Sequence, residues 1–337
     1  MAQAVDGVDV RVDVTSIEKQ LAELWRAEKS QNDDAVTKAA LWNVVAHTWN
    51  AAQHAHATEI LALASESVPQ RTIVVQSDPG GAGSISSWIS ANCHLIGGGR
   101  QVCSEEVSIV AAGERVHHVA PLVKALLLPD MPVAVWWLGD LPDDQHHYAE
   151  TLLDPADRLI VDSSQFNSAS DLELVSRIAE RTTTAPADLN WARLEEWRAA
   201  TATLFDPQPM RERLKRIKEV KVTYGGDGFG TTAGALLYVA WLSAQSGSEA
   251  KLNLVRESDS PGIRAIELHF ERGLTAIIKR DREGGAVVAT SEVTESKMDC
   301  IARPLAHSTE DLIVRLLKRP EADKVYLRAL NGARALA

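Results

Sequence analysis

The run Pro132-Val-Ala-Val-Trp-Trp-Leu138 constrains this chain more than any other stretch. It is apolar without alternation and is bounded by Pro129 before it and Gly139-Asp140-Leu141-Pro142 after it. Such a run reads as a strand of the buried type, the kind that sits inside a helix-covered sheet. Side chains alternate across a strand, so Trp136 and Trp137 point to opposite faces. One ring enters the core. The other has to be covered by a helix or by a partner.

The flanks predict the rest of that sheet. Leu41 to Trp49 and Arg71 to Gln76 read as strands, the second through its β-branched Thr72-Ile-Val-Val75. Ser84 to Ile96 and Gln101 to Ala111 are strand-like and are separated by Gly97-Gly98-Gly99, a hairpin connection. Helical spacing predicts helices over Ala51 to Ser65, Val116 to Leu128, Gln145 to Leu153 and Asp171 to Arg181, with a strand at Arg158 to Asp162. Upstream, Thr15-Ser-Ile-Glu18 has the spacing of a capping box and opens a helix that Asn32-Asp33-Asp34 ends. The order is that of an α/β domain with a mixed sheet.

The second half changes character. Asp188-Leu-Asn-Trp191 starts a helix, with Asp188 or Asn190 as its cap. A strand at Val220 to Tyr224, a glycine-rich turn and a helix from Thr232 to Ala244 follow. Ile266, Leu268 and Phe270 then alternate with Glu267, His269 and Glu271, as in a sheet with one wet face. Arg272-Gly273 and Gly284-Gly285 separate the later strands, and Ser308 caps a helix with Leu312, Ile313, Leu316 and Leu317 on its apolar face. A smaller α+β domain with an antiparallel sheet is the economical packing. The divisions expected are 1–34 (an N-terminal helical segment), 35–186 (α/β), 187–207 (a bridging helix) and 208–337 (α+β). At 337 residues the chain exceeds the usual single core.

Composition narrows the function. A net charge of −11 repels phosphate backbones, and Arg211 to Lys221 alternates with Glu212 and Glu219, so no nucleic-acid partner is expected. No apolar run approaches the ~20 residues of a membrane span. Four aspartates and no basic leader in Met1 to Val14 argue against a signal peptide, and with three cysteines the cytoplasm is the simplest compartment.

Candidate chemistry is sparse. Gly225-Gly-Asp-Gly-Phe-Gly230 lies between a strand and a helix, where the amides of Gly225, Gly226, Gly228 and Gly230 would cradle an anion. It departs from G-x-G-x-x-G at Thr231 and lacks the Lys-Ser/Thr of a P-loop, so the tight structural turn is the default reading. The pairs His54/His56, His117-His118 and His146-His147 diverge on a helix and predict no metal site. Asp143-Asp144 reads as solvated charge. No nucleophile-plus-base arrangement emerges, so neither a catalytic residue nor a cofactor is expected. Cys93 and Cys103 fall on neighbouring strands, either as a redox pair or as two buried thiols, and no obligatory disulfide is expected.

Tryptophan is abundant, nine against four Phe and four Tyr. Trp191 and Trp197 lie about 600° apart on one helix and do not share a face. Exposed indoles favour protein partners. Trp136, Trp137, Asp140, Pro142, Trp191 and Trp197 are therefore the candidate partner-binding residues.

The same segments carry a resemblance. Leu126-Leu-Leu-Pro-Asp-Met-Pro-Val133 running into Trp136-Trp137-Leu-Gly-Asp140 resembles the central signature of the glucose-6-phosphate dehydrogenase assembly protein family, OpcA. Arg71 to Val75, Cys103 to Ile109, Leu159 to Ser163 and Asp188 to Arg198 follow that family's order around it, so the resemblance covers about residues 35–330. It implies a non-enzymatic assembly factor or allosteric activator that binds glucose-6-phosphate dehydrogenase, the NADP-linked entry enzyme of the oxidative pentose phosphate pathway. It implies no catalytic residues. The alternative is a sugar-phosphate-binding enzyme or sensor that uses the Gly225–Gly230 loop.

Overall fold

The computed structural model describes residues 10–31, 36–96, 100–142, 151–258, 262–280, 287–291, 300–302 and 308–337. Asn32 to Asp34, Gly97 to Gly99, Asp143-Asp144, His146-His147 and Gly284-Gly285 lie outside them. The chain forms two compact units that interleave along the sequence rather than following one another. The first takes residues 1–161, 182–185 and 308–321. The second takes 162–181, 186–307 and 322–337. The helix Ala169–Arg181 falls in the second unit and the helix capped by Ser308 in the first.

In the first unit the strands run in the order Val10–Val12, Ser84–Ile96, Arg100–Ala112, Gln70–Asp78, Trp42–Thr48, Val133–Trp137 and Arg158–Val161. Val36–Lys38 pairs parallel with Arg100–Ala112. The first two pairings are antiparallel and the rest parallel, with Val45 beside Ile73 on one side and beside Val135 on the other. All seven residues of Trp42–Thr48 and all five of Val133–Trp137 are buried. The α/β mixed sheet is thus as expected, and its apolar runs are central strands because both faces are covered. The helix Ala51–Ser67 is capped by Asn50, whose side chain accepts from the Gln53 amide, and it packs against Thr309–Leu317. The helix expected from Val116 begins as a 3₁₀ turn, Gly113–His118, and is α-helical over Val119–Leu126.

Local capping departs from expectation at the start. Asp13, not Thr15, is the cap: its carboxylate accepts from the Thr15 amide at 2.8 Å, ahead of a short turn and the helix Ile17–Gln31. Residues 151–155, the described end of the helix expected from Gln145 to Leu153, form a turn. The two strands align Cys93 with Cys103, and a disulfide joins them, the paired one of the two arrangements left open by the sequence, where no obligatory disulfide was expected.

In the second unit the sheet order is Lys251–Ser258, Ile217–Gly225, Gly262–Phe270, Thr275–Arg280, Val287–Ser291 and Cys300–Ala302. It is mixed rather than purely antiparallel. The first pair runs parallel, because the helix Phe229–Ser246 is the crossover between its two strands. That helix is buried nearly all round, by residues such as Leu236, Leu237, Tyr238 and Leu242. Against it lies Lys324–Leu336, a helix not anticipated from the sequence, with Tyr326, Ala329, Leu330 and Ala333 inward. Gly332 permits their close approach: a Cβ there would sit 2.9 Å from Ala240 Cβ. The bridging helix is two pieces, Leu189–Arg193 and Glu195–Leu204, broken at Leu194.

Candidate functional site

The turn after Val133–Trp137 is rigid. Both Trp137 Nε1 and Trp49 Nε1 donate to the Asp140 carbonyl, at 2.7 and 2.8 Å. The Trp137 ring stacks on His47 with centroids 4.0 Å apart, and His47 meets Trp49 edge-on at 4.6 Å. Gly139 completes the turn at φ +78°, and a Cβ there would fall 2.7 Å from Gln53 Nε2. The Gly139 and Asp140 positions are exposed, whereas Leu141 and Pro142 are buried.

The four indoles do not lie open. Trp136, Trp137, Trp191 and Trp197 are at most 3% exposed. Of the two covers the sequence left open, a helix or a partner, the chain's own residues supply the cover here. Trp136 lies 6.2 Å from the His56 ring. Trp191 donates to Asp323 at 2.9 Å and carries the Arg198 guanidinium 3.4 Å above its ring. Of the six candidate partner residues only Asp140 is exposed.

The second unit holds a cavity of about 380 Å³. Its wall includes Ser164, Gln165, Asn190, Trp197 and Thr231, and among the described residues every charged one that lines it is an arginine: Arg193, Arg264 and Arg280. Arg193 grips Asp162 bidentately at 2.8 and 2.9 Å, which fixes the plane of its guanidinium. Arg280 is paired with Glu196 and lies 5.6 Å from the Trp197 ring centroid. Sequence reading missed the three arginines, since they come from a helix and two strands with no shared motif.

Of the four loop glycines, Gly230 lines this cavity and Gly225, Gly226 and Gly228 do not. Gly226 and Gly228 take φ of +99° and +80°, as a tight turn requires. Within the loop Asp227 pairs with Arg256, placing a carboxylate where an anion cradle would need none. Gly230 has a packing reason: a Cβ would stand 2.1 Å from the Ser164 carbonyl oxygen. The helix Phe229–Ser246 thus begins directly on the turn Ser163–Gln165.

Behind the cavity wall sits Asp188, fully buried. It caps Leu189–Arg193, and its Oδ1 accepts from the Asn190 amide at 2.8 Å and the Ser163 amide at 3.0 Å. Oδ2 is buried with no partner among the described residues. Burial, then the charge of Asp162, push its carboxyl up to about 6 against those hydrogen bonds. No group of three or more His, Cys, Asp or Glu converges as a metal site among the described residues, and no described helix is long and apolar enough to cross a membrane.

Two family models, both described as domains of a "Glucose-6-phosphate dehydrogenase subunit", match the chain in tandem. The N-terminal domain matches residues 61–177 and the C-terminal domain matches 184–330. A 166-residue stretch is 31% identical to the "Putative OxPP cycle protein OpcA" of a Synechocystis strain, covering 49% of this chain and 33% of that protein. The protein of the same name from Synechococcus elongatus is 30% identical over 191 residues, 56% of this chain and 41% of its own length. These matched stretches span well under half of the relatives' lengths. Among solved structures, a dehydrogenase from Chromobacterium violaceum has a TM-score of 0.45 at 10% identity, covering 88% of this chain and 93% of that one. UDP-N-acetylglucosamine 3-dehydrogenase from Acidithiobacillus ferrooxidans has 0.44 at 10% identity, covering 88% and 96%. At that similarity the likeness carries nothing about chemistry.

Proposed function

We propose, on the premise that this chain belongs to the OpcA family of glucose-6-phosphate dehydrogenase assembly proteins, that it is a non-catalytic partner of that dehydrogenase in the oxidative pentose phosphate pathway. The observation that carries this reading is the tandem match to two domains named for a dehydrogenase subunit, together spanning most of the chain. It acts by protein–protein binding, promoting the assembly and activity of the enzyme.

The Leu138-to-Pro142 turn is the docking element this reading favours. A loop clamped by two indole hydrogen bonds presents Asp140 with little entropy left to lose on association. The buried tryptophans then serve as the platform of the turn and not as anchors inserted into the partner.

The test is titration of the purified dehydrogenase with this protein, read by complex formation and by kcat/KM. A stable complex with raised activity is expected. Asp140→Lys is expected to weaken it about tenfold, roughly 1.4 kcal/mol, while melting at the wild-type temperature. Trp137→Ala, by contrast, is expected to melt early, because it removes a core ring. Absence of any complex sinks the functional reading. A complex indifferent to Asp140→Lys retains the function but moves the interface elsewhere.

A further inference from the structure

The arginine-lined cavity of the second unit has a composition that neither the tandem family match nor the docking turn accounts for. Three guanidiniums face one space of about 380 Å³, a volume near the lower end of small-molecule sites. Two of them are held in place from behind. Arg193 is fixed by its fork on Asp162, and Arg280 by Glu196 and the Trp197 ring. Each guanidinium carries five N–H donors, and a carboxylate fork occupies two. The third, Arg264, comes from the exposed side of the strand Gly262–Phe270. Among the described residues no carboxylate lines the space.

The first turn of the helix Phe229–Ser246 adds to this field. Gly230 and Thr231 line the cavity at the end of an 18-residue helix where unsatisfied amides concentrate positive charge, and Gly234 lines it one turn further on. Gly230 allows that end to seat against Ser164, so the helix start is fixed in position.

Asn190 supplies an independent sign of a ligand. Its side chain lines the cavity although the residue is only 9% exposed. Nδ2 donates to Ser163 Oγ at 3.1 Å, while Oδ1 accepts nothing from the described residues. Gly234 leaves it just enough room: a Cβ there would stand 3.3 Å from both amide atoms. Oδ1 is an acceptor, so it calls for a ligand hydroxyl, whereas the arginines call for an anion. Ser164, Gln165 and Thr231 add further polar groups, and Trp197 an aromatic one.

We infer that this cavity binds a small phosphate monoester of a polyhydroxylated compound, of sugar-phosphate size. The phosphate sits between the guanidiniums and the helix start, and a ligand hydroxyl donates to Asn190 Oδ1. A bare anion satisfies only the first half of the site and a neutral sugar only the second. The inference concerns the isolated protein and does not depend on the dehydrogenase.

Titration calorimetry on the purified full chain tests it with three probes: glucose 6-phosphate, glucose and inorganic phosphate. Saturable binding of glucose 6-phosphate is expected, at least about tenfold tighter than either of the other two. Arg264→Gln is expected to weaken it about tenfold while leaving the melting temperature unchanged, since the position is exposed. Asn190→Asp, which sets a carboxylate among the arginines, is expected to abolish it. Three results would overturn the inference: no saturation with the ester, inorganic phosphate binding as tightly as the ester, or full retention of affinity in Arg264→Gln. Failure of all binding here leaves dehydrogenase activation intact, so the two readings fail separately.

Discussion

Glu105 in the first unit and Asp188 in the second are both buried carboxylates, at 3% and 0% exposure, and their surroundings treat them in opposite ways. Glu105 is surrounded by donors. Arg71 reaches it through Nε at 2.8 Å and through a second nitrogen at 2.5 Å, Lys38 pairs with it, and Trp25 donates its indole N–H. Burial pushes its carboxyl up, but the charge of Arg71 and these hydrogen bonds outweigh that and hold it below the usual range. Asp188 has two amide donors on one oxygen and, among the described residues, none on the other, and the nearby cation Arg193 is spent on Asp162. Its proton is therefore retained to about pH 6. The first arrangement is a completed structural ion cluster. The second is an electrostatic imbalance beside a cavity, and imbalances of that sort collect at functional sites.

Mutation and pH separate the two. The largest expected effect is that of Arg71→Ala. It strands Glu105 without its main cation, and breaking a buried pair from one side typically costs about 3–5 kcal/mol. Urea unfolding measures this, and a loss below about 1 kcal/mol would show that Glu105 does not need its cluster.

Asp188→Asn comes next and runs the other way. The folded carboxyl lies above its ordinary value of 3.8, so the native state holds the proton more tightly than the unfolded chain. The stability this contributes is full below that ordinary value and is lost as pH rises through about 6. Above pH 7 the penalty is roughly 3 kcal/mol, two units at about 1.4 kcal/mol each. Asparagine keeps the accepting oxygen and carries no charge. The variant is expected to be the more stable protein at pH 8, with an advantage that shrinks on titration towards pH 4. A difference independent of pH would break the comparison. For Glu105 the sign is reversed: its stabilisation is present at neutral pH and is lost only as pH falls through a depressed carboxyl pKa.

Lys38→Ala is the smallest effect. Its side chain is 41% exposed and shares Glu105 with Arg71. Half-exposed pairs contribute under about 1 kcal/mol, so melting is expected to shift only slightly. A loss as large as that of Arg71→Ala would mean that the cluster works as one unit and not through its buried arginine.

Much of the architecture is legible from local pattern. Val133–Trp137 reads as a buried strand because five apolar residues without alternation suit a sheet covered on both faces. Ser308 reads as a cap and is one, its hydroxyl accepting from the Asp311 amide. Asp188 reads as one of two caps for the helix after it, and it fills that role. The helix Lys324–Leu336 was not anticipated, although Tyr326, Ala329, Leu330 and Ala333 recur at helical spacing behind the cap Asp323.

Strand direction is not local. The pairing of Ile217–Gly225 with Lys251–Ser258 is parallel because a long helix intervenes, and the alternation in either strand is the same for both directions. Nor is the fate of a large ring. Pleating put Trp136 and Trp137 on opposite faces, but whether a helix, a loop or a partner covers each was settled by where the rest of the chain packs.

For the candidate sites the sequence by itself determined the turn at Gly139 and a glycine-rich turn ahead of a helix, and narrowed the cap to Asp188 or Asn190, since each depends on backbone geometry over a few residues. Only the tertiary structure brought Arg193, Arg264 and Arg280 around one cavity, left an oxygen of Asp188 without a donor among the described residues, and turned the Asn190 amide inward. The reason is one of range. Capping and periodicity are set by neighbours along the chain, whereas desolvation and the convergence of charge are set by neighbours in space, which distant segments supply.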